Sequence, residues 1–396
     1  MRIALIADTF PPLRTSGAVQ LRDLARQIGR MGHEITVLVS SPDLACPWEL
    51  EKFDTFSVLR LRAPRTKGVG YARRTINEFL MPFAMLRNLK SSPIALEEWD
   101  GIVWYSPTVF LGPIVASLKK KNACRSYLIV RDIFPEWAVD MGLMGRGIPY
   151  SFFKIIAKYQ YSLADVIGIQ TQGNEVYFQK WLKRRDRRLE VLNNWIAKSP
   201  QSACSIDLSQ SALRDRFLFV YAGNMGVAQG MDSLLRLAES LRDRADIGFV
   251  FVGRGSESTR LRDEAKRLEL ANVLFYDEID AEEIPGLYSQ CKAGLLALDQ
   301  KHKSHNIPGK FLPYMQAGLP VLSVINPGND LVELIRVERV GCVITETSAD
   351  QVSGLALELI DKVRGDKGIS SRCKSLAENL FSVDVAAEQV ISGLQR

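Results

Sequence analysis

The residues able to do chemistry in this 396-residue chain gather in one stretch. Lys301, His302, Lys303 and His305 place two lysines and two of the chain's three histidines just ahead of Asn306-Ile307-Pro308-Gly309-Lys310. Positive groups beside a helix start suit a diphosphate. The first turn of a helix leaves N–H groups unpaired with a partial positive charge, and Lys310 adds a full one. Pro308-Gly309 breaks the preceding pattern, an apolar run begins at Phe311, Gly318 ends it, and Val321-Leu322-Ser323-Val324 reads as a buried strand. The apolar run from Ala293 to Leu298 is a further strand leading into the cluster. Ligands of parallel α/β sheets collect at the carboxyl ends of strands, which is where these residues would then lie. An ordinary αβ unit with a surface lysine gives the same local pattern, so the rest of the chain has to decide.

The elements that must position such a cluster recur along the whole sequence. Ile3 to Ala7 is a short apolar strand, the loop Asp8 to Ala18 carries Ser16 and Gly17, Leu21, Leu24, Ala25 and Ile28 repeat at helical spacing, and Ile35 to Val39 is the next strand. That is one βαβ unit, in which Gly17 is either a plain loop glycine or a point of close approach to a phosphate. His33 reads as a structural turn residue. Ile102 to Tyr105 and Tyr127 to Val130 are further buried strands, and the second delivers Arg131 and Asp132 at its carboxyl end. Charged residues directly after an apolar strand are site candidates in this architecture, although a surface loop explains them equally well. A strand is expected from Ala164 to Thr171, and the basic run Arg184 to Arg188 reads as a solvated face.

In the second half, the strand Phe217 to Tyr221 leads to Gly223, Asn224, Gly226, Gln229 and Gly230 and then a helix. Glycines between a strand and a helix let the backbone approach a phosphate, although the spacing does not fit a dinucleotide fingerprint. The strand Phe249 to Val252 leads to Gly253-Arg254-Gly255, and Val273 to Tyr276 leads to Asp277-Glu278-Ile279. The small polar residues from 199 to 210 read as a linker. The predicted organisation is a domain over 1–198, a linker at 199–210, a second domain over 211–380 and a terminal helix over 381–396. The fold class is α/β, two doubly wound Rossmann-like domains.

Composition narrows the functional classes. With 46% hydrophobic and 24% charged residues and no apolar run of spanning length, the chain is neither disordered nor membrane-spanning, and the cytoplasm is the expected location. Six scattered cysteines without Cys-x-x-Cys spacing predict neither a disulfide framework nor a zinc site. A net charge of +6 is too modest to argue for nucleic acid. Its distribution is more telling. Arg60, Arg62, Arg65, Lys67, Arg73 and Arg74 occur with no acidic residue among them, and the apolar helical pattern Ile76 to Leu89 follows. The segment 60–90 is thus either a core helix beside a solvated basic loop or a patch for the anionic inner face of the cell membrane.

From His305 to Val321 the chain resembles the carboxy-terminal domain of glycosyltransferase family 4, and the His-Asn-Ile-Pro-Gly-Lys-Phe run resembles its bacterial O-antigen and capsule branch of N-acetylfucosamine transferase type. The resemblance spans nearly the whole chain and implies the GT-B architecture, two Rossmann-like domains facing a cleft, with the last helix crossing back onto the first domain. It implies retaining transfer of a sugar from a nucleotide diphosphate, UDP above all, to a polyprenyl-diphosphate-linked or lipopolysaccharide acceptor. Arg131, Asp132 and Lys310 are then the catalytic candidates. The implied donor-binding set is Ser16, Gly17, Gly223, Asn224, Gln229, Gly253, Arg254, Ile279, Lys301, His302, His305, Asn306, Gly309 and Lys310. Three departures stand out: the family's glutamate pair falls on His305 and Pro313, its loop cations fall on neutral Asn224 and Gln229, and Arg131 replaces a histidine. Arginine cannot act as a base at neutral pH, so its implied part is electrostatic. With no Asp-x-Asp motif, metal-independent transfer without a cofactor is expected. Two other readings share the architecture: a UDP-sugar 2-epimerase, which needs acid and base carboxylates, and a catalytically inert binding subunit.

Overall fold

A computed structural model describes residues 1–184, 186–199, 203–226, 229–298, 306–345 and 349–395. They divide into two units, Met1–Ala197 with Val383–Arg396, and Lys198–Ser382. The first unit runs β1 (Arg2–Ala7), α1 (Ser16–Arg30), β2 (Glu34–Ser41), β3 (Trp48–Lys52), β4 (Ser57–Arg62) and α2 (Tyr71–Lys90). It continues with β5 (Gly101–Ser106), α3 (Gly112–Asn122), β6 (Arg125–Val130), α4 (Glu136–Asp140), α5 (Ile148–Ser162), β7 (Val166–Ile169) and β8 (Arg188–Val191).

Its eight strands lie in the order β3-β4-β2-β1-β5-β6-β7-β8, and only β3 runs antiparallel to its neighbour. The apolar runs of β1, β5 and β6 are buried along almost their whole length, as parallel strands covered by helices on both faces must be. α1 starts where Thr15 Oγ1 accepts from the Ala18 amide at 3.3 Å, and it buries Leu21, Leu24, Ala25 and Ile28. Burying a Leu or Ile side chain stabilises by about 1.5–3 kcal/mol, so this face fixes the helix on the sheet.

The second unit runs β9 (Phe217–Ala222), α6 (Met231–Ser240), β10 (Ile247–Val252), α7 (Ser258–Arg267), β11 (Val273–Tyr276), α8 (Ile284–Ser289) and β12 (Ala293–Ala297). Then come α9 (Phe311–Ala317), β13 (Val321–Val324), α10 (Asp330–Glu338), β14 (Gly341–Ile344), α11 (Ala349–Gly365) and α12 (Ile369–Leu380). Its all-parallel sheet has the order β11-β10-β9-β12-β13-β14. The terminal α13 (Val383–Gln395) belongs to the first unit, where Gln389 Nε2 donates to Val191 O at 2.8 Å.

Three local expectations change. The strand expected from Ala164 to Thr171 is the four-residue β7. The end of the basic run taken as a solvated face becomes β8, an edge strand in which Arg188 pairs with Glu190 at 2.6 Å while the Tyr127 hydroxyl donates to the same carboxylate at 2.7 Å. Within the expected linker, Ser205 N donates to Glu283 and Leu208 N to Gln290 Oε1 at 2.8 Å, so its later residues fold onto the second unit. Among the described residues no helix is long and apolar enough to cross a membrane.

Candidate functional site

In the second unit the strand order reverses between β9 and β12, and the carboxyl ends of those strands mark the switch point where α/β sheets bind ligands. The loop after β9 is knitted to the loop after β10. Gly223 N donates to Val252 O at 2.9 Å, Met225 N to Arg254 O at 2.7 Å and Glu257 N to Met225 O at 3.0 Å. This close approach requires glycine. Gly253 has φ +143°, and a Cβ there would lie 2.0 Å from Gly223 O.

Lys310 reaches into this loop from the far side. α9 is seated by Tyr314, whose ring covers Gly294 of β12 so closely that a Cβ there would be 2.6 Å away. The Tyr314 hydroxyl donates to Val220 O at 3.0 Å, tying α9 to β9 as well. Lys310 is the residue just before α9, and its stem crosses Gly223, where a Cβ would meet its Cε at 2.8 Å. Its Nζ stands 4.7 Å from the centre of the Tyr221 ring, a cation–π contact. Burial pushes the amine down to about 8, and no described carboxylate is paired with it. A cation held this way has no counter-anion among the described residues, and a diphosphate oxygen would supply one. The helix contributes less than the sequence implied: α9 has only seven residues, so its dipole is short and Lys310 itself is the main source of charge.

The remaining donor-site candidates take unequal parts. Gln229 Oε1 accepts from Asn224 Nδ2 at 3.0 Å and from Gly226 N at 3.1 Å, so this neutral pair closes the loop on itself. Arg254 pairs with Glu278 at 2.9 Å on the surface, and Ile279 is half-buried beyond β11. Gly309 is exposed beside Lys310. Asn306 O accepts from Asn329 Nδ2 at 3.3 Å, while Asn306 Oδ1 is buried without a partner among the described residues. Lys301, His302 and His305 lie outside the described residues.

Ser16, Gly17, Arg131 and Asp132 belong to the first unit, at the carboxyl ends of its central strands. Its switch point lies between β1 and β5. Ser16 opens α1 and is exposed, and Gly17 packs on the Tyr105 ring, whose Oη would stand 2.9 Å from a Cβ at that position. Arg131, expected to offer its charge to the reaction, is engaged by the protein's own carbonyls and an aromatic ring. It is 7% exposed, its Nη1 donates to Leu192 O at 2.8 Å, and its guanidinium lies 4.6 Å over the Trp195 ring. A guanidinium so engaged is a positioning group, fixing the chain after β8 against α1 through Trp195 Nε1, which donates to Gln20 O at 2.7 Å. Asp132 is exposed next to it.

Sequence reasoning passed over Asp8, although it follows β1 as Arg131 follows β6, and that same placement would have found it. Burial raises its carboxyl above the usual carboxylate range, with Lys67 opposing and Glu78 adding to the shift, and its Oδ1 is buried without a partner among the described residues. Such an orphaned oxygen can accept a ligand hydroxyl hydrogen. Because the folded-state value is raised, ionised Asp8 destabilises the fold above that value and the penalty vanishes as pH falls below the unfolded value. Asp8→Asn is therefore expected to stabilise the free protein at pH 7 by about 1 kcal/mol, the usual scale for relieving a strained functional position. Denaturant melts at pH 7 and pH 4 check this, with the gain shrinking at the lower pH.

A recess at the amino ends of β6 and β7 is a different case. There Lys119 Nζ donates to Ser126, Leu163 O and Asp165 at 2.7–2.9 Å, a saturated structural network.

Residues 216–362 match the family described as Glycosyl transferases group 1. The putative colanic acid biosynthesis glycosyl transferase WcaI of Escherichia coli strain K12 is 22% identical over 342 residues, covering 80% of this chain and 82% of that protein. Among solved structures, the E. coli trehalose-6-phosphate protein bound with UDP-2-fluoro glucose superposes with a TM-score of 0.75 at 12% identity, covering 100% of this chain and 99% of that one. WaaG, a glycosyltransferase involved in lipopolysaccharide biosynthesis, superposes with a TM-score of 0.64 at 16% identity, covering 98% and 99%. At such identities the likeness establishes the fold. The likeness to glycosyl transferases group 1 thus lies in residues 216–362, and the whole chain has a two-unit α/β fold of the GT-B kind.

Proposed function

We propose that the chain is a retaining glycosyltransferase of family 4 that moves a sugar, an N-acetylated deoxyhexosamine such as N-acetylfucosamine, from UDP to a lipid-linked or lipopolysaccharide acceptor. The observation that carries the donor half is Lys310: an amine without a described counter-charge, set over Gly223 and Tyr221 at the switch point. Transfer needs charge on the departing diphosphate to be stabilised and an acceptor hydroxyl held at the anomeric carbon away from water. Lys310 meets the first need, from a place that the glycine loops hold open for its stem. The orphaned oxygen of Asp8 suits an acceptor hydroxyl. The likeness to WcaI, to a protein bound with UDP-2-fluoro glucose and to WaaG, involved in lipopolysaccharide biosynthesis, supports the donor class and the pathway class. A retaining step in which the leaving phosphate takes the acceptor proton needs no carboxylate pair of the kind glycosidases use. The epimerase reading needs acid and base carboxylates, and Glu278, after β11, is already held by Arg254.

The test is a thermal-shift panel of UDP-, GDP- and dTDP-sugars, run with and without excess chelator. A ligand at about 100 times its Kd stabilises by about 2.7 kcal/mol, so the UDP-sugar should stand out and the chelator should leave its shift intact. No shift with any nucleotide sugar would sink the donor reading. Loss of the shift in chelator, restored by magnesium, would sink metal independence.

A further inference from the structure

The first unit exposes two apolar stripes on separate helices. On α2, Ile76, Phe79, Leu80 and Phe83 are exposed at spacings of one helical face, while Met81, Met85 and Leu89 form a different, buried face. On α5, Ile148 is 87% exposed and Ile155 65%, with Phe152 and Tyr159 exposed on the same side, and Ala157 and Tyr161 buried on the other. The stripes are joined. The Phe79 and Phe152 rings both contact Phe110, at 6.4 and 6.5 Å between centroids, so they border one continuous surface. Single exposed apolar side chains are ordinary, but a contiguous patch of this kind marks an interaction surface.

The charge around the patch selects its occupant. α5 contains no acidic residue, and the single one on α2, Glu78, is paired with Arg74 at 2.8 Å. Arg73 and Arg87 lie seven residues either side of Leu80, two helical turns away in each direction, and Lys158 is exposed between Ile155 and Tyr159. A second copy would bring the same basic rim against itself. An anionic lipid surface meets both the apolar centre and the positive rim.

We propose that α2 and α5 together form one docking face for an anionic bilayer, with the aromatic and aliphatic side chains in the headgroup boundary and Arg73, Arg87 and Lys158 on lipid phosphates. The segment 60–90 is only half of it, because α5 supplies the other stripe. This rests on the lipid-linked acceptor reading and sharpens it. Lys67, Arg74 and Glu78 all act on the Asp8 carboxyl, so the approach to α2 and its first turns border both that residue and the docking face. An acceptor anchored in the bilayer would present its head group on that side of the unit.

The experiment is co-flotation with phosphatidylcholine vesicles, with and without phosphatidylglycerol, for the full chain and two variants. The unaltered chain is expected to float with the anionic vesicles. Phe152→Ser with Ile155→Ser should lower vesicle affinity about tenfold or more, as expected when exposed apolar anchors are lost. Arg73→Glu with Arg87→Glu should lower it on anionic vesicles only. Failure of the unaltered chain to float, or an α5 variant that floats equally well, overturns the proposal. So does a concentration-dependent dimer, seen by sedimentation, that the same substitutions abolish. The UDP-sugar thermal shift is read on the same variants and should persist. Its absence from the unaltered chain would count against the donor reading and leave the flotation result standing.

Discussion

Lys310→Met is expected to separate catalysis from stability: turnover falls about 10²-fold, as when other preorganised charge contacts are removed, while the ligand-free protein becomes more stable. Methionine keeps the apolar stem over Gly223 and the Tyr221 ring and removes the charge. The amine is pushed by burial from its ordinary 10.5 to about 8, so the ammonium destabilises the folded state. Each unit is worth about 1.4 kcal/mol, and partial solvent access reduces the whole to about 1–3 kcal/mol. The sign follows from proton counting. The folded-state value is depressed, so the penalty is complete below about 8 and fades as pH rises from there towards 10.5. Denaturant melts of the two proteins should therefore differ most at pH 7 and converge near pH 10. Donor affinity runs the other way, because the diphosphate binds the ammonium. It should be flat below about pH 7 and decline above 8 by up to about tenfold per unit, with proton uptake on binding seen by calorimetry in buffers of different ionisation enthalpy. A folded variant with unchanged transfer kinetics and unchanged stability would remove Lys310 from the site.

The elements of this fold were legible where one physical signal dominated. The apolar runs of β1, β5, β6, β9, β10 and β12 are period-free because helices cover both faces, and such runs stand out in any sequence. The turn at Gly318 was equally plain, since its φ of +75° is a conformation glycine adopts at a helix end. β8 was hidden because its Arg188 and Glu190 read as solvated charge, whereas they pair with each other along the strand and Glu190 also accepts from the Tyr127 hydroxyl across the sheet, a contact visible only in the fold. For the same reason Arg131 could be placed at a strand end but its orientation could not. The backbone carbonyls that hold it lie about 60 residues away in sequence, at Leu192 and Asn193. The exposed stripe on α5 has the same helical period as a core face, and only the position of the sheet tells which side is wet.

Gly253→Ala should have the largest effect on the architecture of the donor site, and Gly328→Ala gives the measure against which to read it. Both glycines have positive φ, +143° and +76°, so each substitution forces an alanine into backbone space it rarely adopts. At Gly328 no atom lies within 4 Å of the added Cβ, which leaves the backbone term alone, about 1–2 kcal/mol. At Gly253 the Cβ would fall 2.0 Å from Gly223 O, and that carbonyl cannot step aside without breaking the bonds from Gly223 N to Val252 O and from Met225 N to Arg254 O. The combined strain and lost bonding should destabilise the chain by about 3 kcal/mol or more. Gly223 also underlies the Lys310 stem, so moving it dislodges the amine from Tyr221. The expected pattern is therefore an unperturbed UDP-sugar thermal shift in Gly328→Ala and a lost one in Gly253→Ala, even where the latter is still folded. Equal stability losses in the two variants, or an intact donor shift in Gly253→Ala, would show that the two loops can part without consequence, and the argument that glycine is there to bring them together would fail.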